Sequence, residues 1–390
     1  MEPSNFKLLV HYHNPVHVDE SGVIRLTAGT ARWISEISTY FKEVGLLFPQ
    51  SVALKPQQDT PILQKNVRLF SLGQPGHYSN YMQRVQHIRN MCQYASSEVD
   101  GLLVRGFTPR QYTVWENTQS LQKAFLLVSD PKPQKITNLH GGEIISVLLH
   151  NQRVNQFRKI LQDHPVLMTN SPAYLDTLSK TNNDSSFVPT STLRQSDISP
   201  FNIHAISKPC KVLYCGRLHY PKGLRELFQA LSILKHQGIS CNLDLASPLE
   251  EPVHSQLNEM ARQLDIRDAI TWKGFIPFGP DLFNLYQAAD MFVLPSYTEG
   301  FPRVVWEAGA NCCPVITTFV GGIPAVLQNE IHALLIPPRN PEAIADAIKH
   351  LIFDNELRTK LITNLFGLVQ GYTIEASVKA MVDVLSKSWK

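Results

Sequence analysis

The sequence predicts an α/β protein built from two parallel-sheet domains. Three observations carry that reading. From residue 211 to residue 352, short β-rich runs alternate with amphipathic helical stretches, the signature of βαβ units covering both faces of a sheet. The 390 residues suit two domains at about 150 residues or more each, enough to bury full-sized cores without disulfides or metals. The longest apolar runs, such as 125–128 and 291–295, are far too short to span a bilayer.

In the first half, residues 6–12 read as a strand and 14–27 as a long polar loop. A helix is expected over 31–44, with Trp33, Ile37, Tyr40, Phe41 and Val44 on one stripe. Residues 102–105, 125–128, 135–139 and 166–169 read as strands, and Ser171-Pro172 opens a helix. The polar, Pro-containing segment 190–208 reads as a linker.

The second half is more regular. A strand at 212–215 leads to a helix with Leu224, Leu227, Phe228, Leu231 and Leu234 at helical spacing, stopped by Gly238. A strand at 241–245, a helix at 253–264, a strand at 269–272 and a helix at 281–289 follow. A buried strand at 291–294 precedes a helix at 302–310 with Pro302 in its first turn, where the missing N–H costs nothing. The pattern closes with strands at 314–318 and 334–336 and a helix from 341 to about 352.

Charge and cysteines exclude several classes. The net charge is +3, from 36 Lys and Arg against 33 Asp and Glu, too small for a basic nucleic-acid coat. Residues 1–195 hold 19 of those cations and 14 of those acids, so the first half is the basic one. That asymmetry admits an anionic membrane surface as a partner. The segment 81–99 fits, since Arg84, His87 and Arg89 lie among Met82, Val85, Ile88 and Met91. None of the six cysteines forms a CxxC pair, which favours free buried thiols in a reducing compartment. The N-terminus shows no signal-peptide pattern. A cytoplasmic location, with peripheral contact at the inner membrane face as an option, is expected.

Four segments of the second half carry chemistry. PSYTEGFPRVVWEAGANCCPVI, from Pro295, follows a buried strand with a loop holding Glu299 and Gly300 and then a helix starting near Phe301 that carries Glu307. A helix start presents unpaired N–H groups to a phosphate, Gly300 allows close backbone approach, and ionised carboxylates accept paired hydrogen bonds from hydroxyls. Both carboxylates are expected to face one crevice at different depths. CGRLHYPKGL, from Cys215, places Gly216, Arg217 and Lys222 at a strand end, where cations suit a diphosphate leaving group. Gly274 and Phe275 end a strand on which a nucleobase can rest, and Gly321-Gly322 precede a short helix. In the first half, His140 with Gly141-Gly142 lies past a strand end, where a histidine can donate to a substrate hydroxyl.

In this order, these segments resemble the C-terminal domain of family 4 glycosyltransferases. The E-x7-E element is Glu299 and Glu307, G-R-L-x-x-x-K-G spans 216–223, and D-x-F-V-L-P-S spans 290–296. The first half matches through LHGG at 139–142 and MTNSPAY at 168–174. The resemblance implies a GT-B fold, two Rossmann-like domains with a cleft between them. It implies an acceptor-binding domain over 1–195, a nucleotide-sugar-binding domain over 196–372, and a C-terminal helix over 373–390 that crosses back.

It further implies a retaining transfer from a UDP- or GDP-sugar to a saccharide or lipid-linked acceptor in polysaccharide, lipopolysaccharide or glycolipid assembly, with no cofactor and no metal. Arg217 and Lys222 would neutralise the diphosphate, Glu299 would hold the sugar, Glu307 the ribose, and His140 would lie near the sugar. Gly216, Gly274, Phe275, Gly300, Phe301, Pro302 and Arg303 would complete the donor site. Departures include LDLASPLEE at 243–251, which lacks the family's usual Gly after the second strand. A nucleotide-sugar epimerase and a non-catalytic nucleotide-sugar-binding protein are the alternatives on the same fold.

Overall fold

The protein is described by a computed structural model, which covers residues 1–55, 58, 60–74, 81–107, 110–128, 142–179, 185–218, 222–249 and 251–389. The chain divides into two units, Met1–Pro189 with Ile374–Lys390, and Thr190–Thr373.

The first unit contains β1 (Lys7–His11), β2 (His17–Val18), β3 (Ile24–Leu26), α1 (Ala28–Ser38), β4 (Glu43–Phe48), β5 (Thr60–Pro61) and β6 (Val67–Ser71). It continues with α2 (Tyr81–Glu98), β7 (Gly101–Arg105), α3 (Gln111–Glu116), β8 (Gln122–Leu127), α4 (Gly142–Leu161), β9 (Val166–Thr169), α5 (Pro172–Ser179) and β10 (Ser185–Phe187). Seven strands form a parallel sheet in the order β10-β9-β8-β7-β1-β4-β6. β7 is buried along its whole length, as a parallel strand covered on both faces must be.

Several expectations change here. The 14–27 loop holds β2 and β3, which pair antiparallel with each other and with β5 in a small separate sheet. The expected helix at 31–44 ends at Ser38, and Val44 belongs to β4. Trp33 and Ile37 are buried on α1 as expected. The run Val44–Phe48 is apolar because both faces of the strand are covered, and its first residues happen to continue the helical spacing. Gly45 lies between the side chains of Phe70 and Leu9, which leave no room for a Cβ. In α2, Ile88 is buried with Cys92 and Ala95 in the core, and Met91 packs against it. Met82 and Arg89 face solvent. The strand at 135–139 and His140 lie outside the described residues.

The second unit contains β11 (Cys210–Cys215), α6 (Leu224–His236), β12 (Cys241–Ala246), α7 (Val253–Gln263), β13 (Ile270–Gly274) and α8 (Pro280–Ala288). Then come β14 (Met291–Leu294), α9 (Arg303–Ala310), β15 (Val315–Thr318), β16 (Leu334–Ile336), α10 (Pro341–Phe353) and α11 (Asn355–Val369). The sheet is parallel, in the order β13-β12-β11-β14-β15-β16.

The segment read as a linker is an anchored strap of this unit. Thr190, Ser191, Thr192 and Leu193 are buried. The Ser199 amide donates to the Ala310 carbonyl (3.0 Å), and its hydroxyl to Asn311 Oδ1 (2.7 Å). Buried Asp290 accepts from the amides of Ser207 (3.0 Å) and Lys211 (2.7 Å). Part of the polarity at 190–208 thus serves hydrogen bonds made to the domain, while Gln195, Ser196 and Asn202 face solvent.

The last helix, α12 (Ile374–Ser388), packs on α1 in the first unit. Trp389 stacks on Phe6 with ring centroids 5.2 Å apart, and Gly101 beside them has no space for a Cβ. The Met1 ammonium donates to the carbonyls of Ser386 (3.2 Å) and Trp389 (3.1 Å), satisfying acceptors that a helix C-terminus leaves open. Among the described residues, no helix is long and apolar enough to cross a membrane.

Candidate active site

Strand order locates the site in the second unit. The chain moves outward from β11 to β12 and β13, then returns to the other side of β11 to lay down β14. In a parallel α/β sheet, ligands gather outside the carboxyl ends of the strands where the direction of winding reverses. That point lies between β11 and β14. The loop after β11 carries Arg217 and Lys222, and the loop after β14 carries Glu299.

These loops are locked by tight backbone contacts. Gly223 adopts a left-handed φ of 70°, and a Cβ there would fall on the Pro295 carbonyl. Gly321, at φ 57°, packs the same way against the Glu299 carbonyl. The Gly322 amide donates to the Gly300 carbonyl (2.7 Å), and the Thr318 hydroxyl to the Ser296 carbonyl (2.5 Å). Side chains extend the clamp. The Tyr297 hydroxyl donates to Glu226 Oε2 on α6 (2.6 Å), and the Arg339 guanidinium covers the Tyr297 ring at 4.7 Å.

Within this frame, Lys222 Nζ meets Glu299 Oε1 at 2.6 Å, with side-chain exposures of 21% and 11%. A half-buried ion pair of this kind keeps both side chains oriented at the switch point. Arg217 is exposed, and its carbonyl accepts from the Tyr214 hydroxyl (2.9 Å). Gly274 ends β13 with a left-handed φ of 71° and open space around it, beside an exposed Phe275.

Two features differ from the sequence reading. Helix α9 begins at Arg303 with Pro302 as its N-cap, one residue later than expected. Phe301 is buried and stacks on Trp306 (4.4 Å), which stacks in turn on Tyr372 (4.2 Å). The Phe301 ring therefore anchors the loop, and only its backbone is left for a ligand. Glu307 is buried rather than open, 6% exposed. Its Oε1 accepts from the Thr192 hydroxyl (3.4 Å) and its Oε2 from the Tyr286 hydroxyl (3.2 Å). Burial raises the Glu307 pKa, opposed by the Arg303 charge and by these two hydrogen bonds. Sequence reasoning missed Thr192, Tyr286, Glu226 and Arg339. Tyr286 sits on an apolar helical face that reads as core, and nothing local marks Thr192. Among the described residues, no three His, Cys, Asp or Glu side chains gather as metal ligands.

Residues 196–366 match the family described as Glycosyl transferases group 1. That span lies within the second unit, which is thus the part of the chain similar to group 1 glycosyl transferases. The matched span contains every site residue described above except Thr192 and Tyr372. An uncharacterized glycosyltransferase of Methanocaldococcus jannaschii is 31% identical over 154 residues, 39% of this chain and 38% of that protein. A D-inositol 3-phosphate glycosyltransferase of Salinispora tropica is 30% identical over 188 residues, 45% of this chain and 38% of that protein. The chain thus spans well under half the length of these relatives. A crystal structure of Anabaena Alr3699/HepE in complex with UDP-glucose matches 98% of this chain and 100% of that one, with a TM-score of 0.72 and 16% identity. At that identity the likeness is one of fold, and the fold is GT-B, two Rossmann-like domains.

Proposed function

We propose that the protein is a retaining glycosyltransferase that moves a sugar from a UDP- or GDP-sugar to a hydroxyl of a saccharide or glycolipid acceptor. The single observation that carries this reading is the Lys222–Glu299 pair at the switch point of a group 1 domain. It sets a cation for the diphosphate beside a carboxylate for the sugar hydroxyls. Support comes from the relatives named as glycosyltransferases and from the UDP-glucose complex of a protein with this fold.

In this mechanism the acceptor oxygen bonds to the anomeric carbon on the face that the diphosphate leaves. The bond from that carbon to the diphosphate oxygen breaks, and the acceptor proton passes to the departing diphosphate. Arg217, Lys222 and the amino end of α9 hold the growing negative charge. Glu299 positions the sugar, Glu307 the ribose, and the ledge at Gly274 and Phe275 the base. These cations do the work a metal would otherwise do, so dialysis against a chelator should leave most of the activity. Complete loss, restored only by a divalent ion, would refute that.

The test of the reading divides the two carboxylates. Glu307→Ala should weaken calorimetric binding of the nucleoside diphosphate alone. Glu299→Ala should spare that binding and lower kcat with the sugar donor. The reverse pattern, or free nucleotide sugar epimerised without acceptor, would overturn it.

Glu307 also predicts a pH dependence. An ionised carboxylate accepts paired hydrogen bonds from ribose hydroxyls, and burial raises its pKa. As pH falls through that raised value, the proton adds, one oxygen becomes a donor, and the paired acceptance is lost. Nucleotide affinity should therefore drop at a higher pH than an ordinary Glu would give, near about 4.3. The fold itself behaves oppositely, since a raised pKa contributes stability in acid that is lost as pH rises through it. Calorimetry from pH 7 downward should show the fall in the native protein and a flat profile in Glu307→Gln.

A further inference from the structure

We propose that Cys210 and Cys241 form an oxidisable dithiol, which hydrogen peroxide converts into a disulfide between β11 and β12. The two residues are direct register partners on adjacent parallel strands, so their side chains project from the same face of the sheet. Neighbouring strands lie about 4.8 Å apart, inside the usual Cα separation of a disulfide, about 4.4–6.8 Å. At that separation a disulfide can close without a large shift of either strand.

Interaction between them makes the two thiols unequal. It draws the Cys241 pKa down and, with burial, pushes that of Cys210 up. Cys241 is thus the sulfur that ionises first and attacks. It also has the access, since it lines a cavity of about 400 Å³ with Gly238, Ser240 and Asp265. The other four cysteines differ. Burial pushes Cys92 and Cys215 up to about 12 and raises Cys312 and Cys313 as well.

The chemistry balances without a further reagent. The Cys241 thiolate attacks one peroxide oxygen, the O–O bond breaks, and hydroxide leaves to become water, giving a sulfenic acid. The Cys210 sulfur then attacks the Cys241 sulfur, the S–O bond breaks, and a second water leaves. Two thiols and one peroxide yield one disulfide and two waters. The pair lies at the amino ends of β11 and β12, whereas Arg217 and Lys222 follow the carboxyl end of β11. The proposal therefore stands or falls apart from the glycosyltransferase reading.

The experiment treats the native full chain with hydrogen peroxide, then quenches, denatures, alkylates and digests it. Free thiols should fall by two from the six present, and a linked peptide containing Cys210 and Cys241 should appear and vanish on reduction. In Cys210→Ser, dimedone should trap a sulfenic acid at Cys241. In Cys241→Ser, Cys210 should remain an alkylatable thiol. Should either variant fail to fold, the wild-type peptide map decides alone. Retention of six thiols, a link through any other cysteine, or a link formed only after unfolding in urea would overturn the proposal.

Discussion

Replacing Lys222 with alanine should lower turnover about a hundredfold or more, the largest effect expected of any single side chain in the second unit. Each preorganised partner of a charged leaving group is worth about 3 kcal/mol, and each 1.4 kcal/mol is about a tenfold change in rate. In the proposed mechanism Lys222→Ala acts twice. It removes a cation from the diphosphate, and it leaves the largely enclosed Glu299 carboxylate without its 2.6 Å partner. Arg217→Ala removes one exposed cation and strands nothing, so its loss should be near a hundredfold without the second component. Steady-state kinetics with the preferred donor gives both numbers. Full activity in both variants would refute the assignment of these cations to the leaving group.

Gly321→Ala should be the most damaging change made without touching a charged group. The residue holds a left-handed φ, and its missing Cβ is the space into which the Glu299 carbonyl projects. A left-handed conformation costs an L-residue about 1–2 kcal/mol, and overpacking adds about 1–3 kcal/mol. Because the obstructing atom is backbone, no rotamer change relieves the contact. The Glu299 loop must move, and the Lys222 pair with it. Denaturant unfolding should show a loss of about 3 kcal/mol, with kcat falling alongside. Gly238→Ala is the control. It shares a left-handed φ, but nothing stands near its Cβ position, so it should lose stability and keep its rate. A stable, active Gly321→Ala protein would show that the close approach does not hold the loop.

The second unit was legible in the sequence to a degree the first was not. Helices such as α6 show a strong apolar stripe, and β14 is a short buried run between turn residues. The errors fell where local pattern has two readings. Val44 extends the spacing of Trp33 and Ile37, yet it lies in a strand buried on both faces, where apolar residues are continuous and carry no period. The polar run at 190–208 looks like a solvated connection, yet its hydroxyls and amides bond to Asp290, Asn311 and Glu307. Polarity alone does not distinguish a group that meets water from one that meets a buried carboxylate. On α2, periodicity gives an apolar face but not what covers each part of it, and Met82 stays exposed. Ile88 and Cys92 are covered by the core.

By itself, the sequence determined the alternation of strands and helices in the second unit and the placing of Gly216–Gly223 and Glu299–Glu307 at strand ends. Each is a property of a few consecutive residues, set by side-chain period, turn chemistry and helix starts. Tertiary structure alone decided which of those strand ends meet. Lys222 and Glu299 are 77 residues apart and pair because β14 returns to the flank of β11. Glu307 is enclosed by Thr192 and Tyr286, from a strap and from α8. The C-terminal helix belongs to the first unit because Trp389 finds Phe6 and the pocket left by Gly101. Such contacts depend on strand order and on packing between distant segments, and periodicity within a short window holds no record of either.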